Sequence, residues 1–134
     1  MRINGLDHVN ILTEDLDRSA RFYADLFGLR DGDPPRPLDP AKARWMYDDG
    51  GRAIIHLNTG MAGEQARAAI GGPTGAIDHV ALDCSGSDAM LARIDRMGVA
   101  RRVVELTEAG IRQIFVHDPS NVRLELNFRG EAAG

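Results

Sequence analysis

The chain has 134 residues, 43% of them hydrophobic, enough for one compact core without staples. Its single cysteine, Cys84, excludes an internal disulfide and a thiolate metal cluster, and a reducing, cytoplasmic setting is expected. The net charge of −4, with arginines interleaved among acids, argues against nucleic acid as a partner, and no apolar run reaches the roughly 18 residues of a membrane span.

Gly5 to Ile11 reads as a strand carrying Asp7-His8-Val9. Asp15 to Leu29 predicts a helix, with Leu16, Ala20, Tyr23 and Phe27 at helical spacing, Asp15 or Asp17 to cap it and Gly28 to end it. The prolines from Pro34 to Pro40 make a loop. A hairpin follows, with Trp45 to Tyr47, the turn Asp48 to Gly51, and Ala53 to Asn58. A short helix is expected near Glu64 to Ile70 within a Gly- and Ala-rich linker.

Ala76 to Leu82 then repeats the opening strand, with Asp78-His79-Val80 standing 71 positions after Asp7-His8-Val9. Ser87 or Asp88 would cap a second helix with an apolar stripe of Met90, Leu91, Ile94 and Met97, ended by Gly98. Gln113 to Val116, the turn Asp118 to Asn121, and Val122 to Phe128 form a second hairpin, and Gly130 to Gly134 reads as a frayed tail. One domain is expected: module one at 1–60, linker 61–75, module two at 76–129 and tail 130–134. Each module is a strand, a helix and two or three strands.

Side chains alternate along a strand, so His8 and Asn10 share one face and Asp7, Val9 and Ile11 the other. By the same parity His56 joins Asn58, His79 joins Ala81, and Glu125 joins Arg123 and Asn127, while the opposite faces are mostly apolar. From Asp49 to His56 is seven residues, as from Asp118 to Glu125, which makes His56 and Glu125 equivalent. Three of the four histidines, together with a glutamate, thus stand at duplicated positions, a pattern that points to a metal site. Imidazole and carboxylate donors suit one divalent ion, with Fe, Mn, Ni, Co and Zn all open. Two histidines and one carboxylate leave coordination positions open for a small substrate with two vicinal oxygens. Asn10, Asn58 and Asn127 are expected to support the ligands or touch substrate.

Leu6 to Val9, Arg21 to Leu29, Ile77 to Val80, and Asp118 to Asn121 leading into Leu124-Glu125-Leu126 resemble the vicinal oxygen chelate superfamily, which includes glyoxalase I, methylmalonyl-CoA epimerase, extradiol dioxygenases and fosfomycin-resistance enzymes. The resemblance covers nearly the whole chain. It implies an α+β fold of two tandem βαβββ modules pairing into an open curved β-sheet barrel around a metal-binding groove, often as a homodimer. It further implies His8, His79 and Glu125 as metal ligands, with His56 as a fourth ligand or as the acid/base group found near this position in extradiol dioxygenases.

The extradiol pattern commonly has a tyrosine ten residues before the metal glutamate, where this chain has Phe115; His117 on the same strand parity is a candidate to compensate. Arg112 and Arg123 are candidate basic groups for substrate. The balance leans to extradiol ring cleavage of a small catechol, which favours Fe(II) or Mn(II) as the metal. The alternatives are a glyoxalase- or epimerase-type lyase or isomerase acting through a metal-stabilised enediolate, and a ligand-sequestering protein of the bleomycin-resistance kind without chemistry.

Overall fold

The computed structural model describes residues 1–59 and 68–133, so most of the short helix expected near 64–70 lies outside the described residues. The chain divides into two compact units, Met1–Ile70 and Gly71–Gly134.

The first unit runs β1 (Val9–Leu12), α1 (Leu16–Phe27), β2 (Arg30–Gly32), β3 (Ala43–Tyr47) and β4 (Ala53–Asn58). The second repeats it as β5 (Val80–Cys84), α2 (Ser87–Met97), β6 (Arg102–Leu106), β7 (Ile111–His117) and β8 (Arg123–Arg129), with a 3-10 turn at Thr107–Ala109. These are two βαβββ modules, each with three strands after its helix. The sheet orders are β1-β4-β3-β2 and β5-β8-β7-β6. β1 lies parallel to β4 and β5 parallel to β8, the crossover that a helix-containing connection permits; the other pairs are antiparallel.

The expected alternation is realised. In the first unit Ile11, Met46, Ile55 and Leu57 are buried beneath Leu16, Ala20, Tyr23 and Leu26 of α1. In the second, Ile114, Val116, Leu124, Leu126 and Phe128 are fully buried together with Ile94 of α2. Asp15 caps α1 by accepting from the Arg18 N–H at 2.9 Å, and Gly28 ends it at φ 71°, where a side chain would be strained.

Three local expectations change. His8 and His79 each stand one residue before their strand, outside the ladder that would impose parity. α2 is not capped by Ser87 or Asp88: Glu131 reaches back and accepts from the Gly86 N–H at 2.8 Å and the Ser87 N–H at 2.6 Å. The tail is therefore pinned, and the Ala133 N–H adds a 3.0 Å bond to Glu105 Oε2.

The hairpin turns form at the expected residues, Asp48–Gly51 and Asp118–Asn121, and are built alike, but the matching of Asp49 with Asp118 does not hold. The Asp48 N–H bonds Arg52 O and the Asp48 carboxylate accepts from the Arg52 N–H; Asp118 does the same with Val122. Asp48, not Asp49, is thus the counterpart of Asp118. Eight residues then separate Asp48 from His56 against seven from Asp118 to Glu125, and a β-bulge beside Met46 and Tyr47 absorbs the extra residue. Past the bulge the phases agree: His56 faces Trp45, and Glu125 faces Phe115.

Candidate metal centre

In the first unit His8, His56 and Trp45 form a stack. The His8 and His56 ring centroids are 3.7 Å apart at 16°, and His56 lies 3.9 Å from the Trp45 ring at 9°. His8 Nδ1 is 2.6 Å from Asp7 Oδ2. A carboxylate bonded there requires the Nδ1 proton, which in a neutral ring leaves the lone pair on Nε2. Burial, and then the neighbouring His8, hold the His56 pKa below the ordinary histidine value. Asn58 Nδ2 donates to Asn10 Oδ1 at 2.9 Å, while Asn58 Oδ1 is buried without a donor among the described residues. Leu6, Asp7, Trp45, Arg52, Ala53 and His56 line a cavity of about 280 Å³.

The second unit repeats the histidine arrangement. His79 Nδ1 is 2.7 Å from Asp78 Oδ1, and His79 Nε2 is 3.1 Å from Glu125 Oε2. Glu125 is only 8% exposed, and its Oε1 accepts from Gln113 Nε2 and Asn127 Nδ2, each at 2.8 Å. Asn127 Oδ1 takes a further 3.0 Å bond from Gln113 Nε2. One carboxylate oxygen is thereby occupied and the other aimed at the imidazole.

Parity sets Asp7 on the face away from His8, and the same alternation applied to Asp78 would set it away from His79. Each instead turns to its neighbouring imidazole, which it can do because neither lies in a ladder. Gln113, Trp45 and the two aspartates were not singled out from the sequence. The available signal was register, since Gln113 lies opposite Asn127 and Trp45 opposite His56. Arg123 lies over Phe115, its Cζ 4.6 Å from the ring centroid, and bonds Asp78 at 3.0 Å. His117 is exposed at the end of β7. Arg112 is committed elsewhere, to Glu105, Ser87 and Asp88.

Residues 5–126 match the Glyoxalase/Bleomycin resistance protein/Dioxygenase superfamily. The chain belongs to this superfamily. It is 25% identical over 130 residues to an Arabidopsis thaliana protein named Glyoxylase I 4, covering 94% of this chain and 71% of that one. Among solved structures it is similar to a glyoxalase/dioxygenase from Nostoc punctiforme at 18% identity and TM-score 0.73, covering 94% and 91% of the two chains. It is also similar to a variant of the fosfomycin resistance protein FosX from Listeria monocytogenes, complexed with Mn(II) and 1S,2S-dihydroxypropylphosphonic acid. That likeness has 19% identity, TM-score 0.71, and coverage of 96% and 94%. These structural likenesses concern the fold of a superfamily that includes metal-dependent enzymes. Among the described residues no helix is long and apolar enough to cross a membrane.

The donor set of this superfamily member suits a divalent ion. Among the described residues of each unit no three His, Cys, Asp or Glu side chains gather into one group. In the second unit His79 Nε2 and Glu125 Oε2 stand 3.1 Å apart. Such a pair calls for a cation or proton. Adjacent ligands about 2.1 Å from one ion stand about 3 Å from each other in octahedral geometry, which agrees with this separation.

Proposed function

We propose that the chain is a divalent-metal-dependent ring-cleaving dioxygenase of the extradiol type, acting on a small catechol. His8, His79 and Glu125 are the proposed ligands and His56 the proton carrier. The observation that carries this reading is the meeting of His79 Nε2 with Glu125 Oε2 while both histidines of the duplicated motif are tied through Nδ1 to a preceding aspartate. Carboxylate–histidine pairs of this kind fix the ring and raise its basicity as a ligand.

When bound, Fe(II) or Mn(II) supplies Lewis-acid polarisation and open positions for two neighbouring substrate oxygens. Gln113 and Asn127 hold the Glu125 carboxylate in place by occupying its other oxygen. His56 is assigned to proton transfer on geometry. Its ring is nearly parallel to that of His8, and in-plane lone pairs of stacked rings run side by side instead of meeting at one point. The Trp45 face keeps water from its other side. Asn58 is assigned a substrate-contacting role; its Oδ1 has no donor among the described residues, which leaves an acceptor to be satisfied.

The test is anaerobic loading with Fe(II) or Mn(II), followed by oxygen uptake with a panel of catechols. Oxygen consumption with a yellow ring-opened product is expected. His56→Gln should retain the metal and lose about 10²- to 10⁴-fold in rate. Metal-loaded protein that consumes no oxygen with any catechol overturns the reading.

A second reading, a glyoxalase- or epimerase-type lyase or isomerase, draws support from the similarity to the plant protein named Glyoxylase I 4. Glu125 or a neighbouring group would then move the proton, turnover would need no oxygen, and several divalent ions would serve. A ligand-sequestering resistance protein would be indicated by purified protein that neither carries nor takes up a stoichiometric ion.

A further inference from the structure

The second unit contains a cavity of about 360 Å³ lined by Ala100, Arg101, Arg102, Phe115, His117 and Arg123. Three of these six are arginines and none is an acid. Arg123 is held by Asp78 and Arg101 by Asp95, so both guanidinium groups are oriented by carboxylates outside the lining. Arg102 forms no ion pair with a described carboxylate of its own unit. With Arg101 and Arg123 each paired to an aspartate, the charge of Arg102 leaves the concavity with a net positive potential suited to an anion.

The cavity also has a fixed relation to Glu125. Arg102 pairs in register with Phe115, and Phe115 with Glu125. The Glu125 and Arg102 backbones are therefore two strand spacings apart, about 10 Å. Arg123 shares a face of β8 with Glu125, and the Phe115 ring lies on the adjacent strand between Arg102 and Glu125. A ligand lying along this line meets a carboxylate at one end, an aromatic ring midway and guanidinium groups at the other.

We propose that this cavity is a subsite for an acidic group on the substrate, a carboxylate or phosphonate carried on a flat apolar body that covers Phe115. The proposal rests on the metal reading for the direction in which the substrate points toward Glu125, but not for the binding of the anion. Arg102 is its principal contact, because Arg101 and Arg123 already share their charge with an aspartate.

The test uses metal-free, chelator-treated full-length protein and NMR titration with phenylphosphonate, benzoate and the uncharged benzyl alcohol. Saturable shifts at the amides of Arg102, Phe115 and His117 are expected with at least one of the acids, weakening as salt rises. Whichever acid binds more tightly identifies the acidic group. Arg102→Gln should weaken binding about tenfold, the scale of one charge-assisted hydrogen bond. Arg102→Lys should retain more of it, and Arg96→Gln on α2 should leave it unchanged. Binding of neither acid above benzyl alcohol, or equal binding by a folded Arg102→Gln protein, overturns the proposal. No metal is present, so a flat titration leaves the ligand assignment untouched, and failure to load metal leaves a positive titration standing.

Discussion

Asp7 and Asp78 are exposed acids, each bonded to one neighbouring imidazole, and Asp78 also to Arg123. The hydrogen bond to His8 holds the Asp7 carboxyl below its usual pKa, and His79 does the same for Asp78. Asp7→Asn and Asp78→Asn should each weaken metal affinity about 10- to 100-fold in a chelator competition while the melting temperature stays put. Unchanged affinity would reduce the pairs to surface contacts. Cys84 gives an independent check. Burial pushes its thiol up to about 11, so near pH 8 only about one thiol in a thousand is ionised. A disulfide reagent should modify it slowly in native protein and rapidly in urea; fast native labelling would contradict the burial. The histidines and Glu125 stood out in the sequence because rare residue types recurred at matched places. Gln113 and Arg102 did not, because a single polar side chain on a strand has no signature until its cross-strand partner is known.

Helix and strand limits followed from chemistry wherever the deciding contact was local. Asp15 and Gly28 bound α1 as expected, since both act within one turn of the helix. The cap of α2 could not be anticipated because its acceptor, Glu131, is 44 residues from Ser87. Bonds from the Ser87 and Gly86 amides hold the Glu131 pKa below its usual value. A depressed folded-state pKa means that the stabilisation is fully present above the unfolded value of 4.5 and is lost as pH falls through the folded one. Glu131→Gln should therefore lower the melting temperature at pH 7, and the gap from the parent should close below pH 4.5. A gap independent of pH would remove the carboxylate cap. On the apolar side of β8, Leu126→Ala should cost about 2–5 kcal/mol in urea unfolding, because the side chain is fully buried beside a carboxylate that fixes the strand's facing.

For the molecule as a whole, repetition explains how so much could be anticipated. Two copies of one pattern supply their own comparison, and the βαβββ order followed from matching them. What repetition misled on was the turn, where counting from Asp49 gave equal spacing while the hydrogen bonds start from Asp48. Ile77 and Leu6, 65% and 80% exposed, occupy equivalent places before the two histidines, and apolar residues so displayed favour a covering partner. A homodimer is accordingly expected: light scattering should return about twice 14.6 kDa, and Leu6→Glu with Ile77→Glu should return a single chain. A parent protein of one-chain mass at tens of micromolar would rule this out. The bulge in the first unit has a consequence for how such a protein changes over time. Without it, one inserted residue would invert every later side chain, sending His56 toward the core and Leu57 into water. With it, the insertion is confined to a local bend, so duplicated halves can drift in length and still keep time with each other, free to exchange a carboxylate for an imidazole at the same beat.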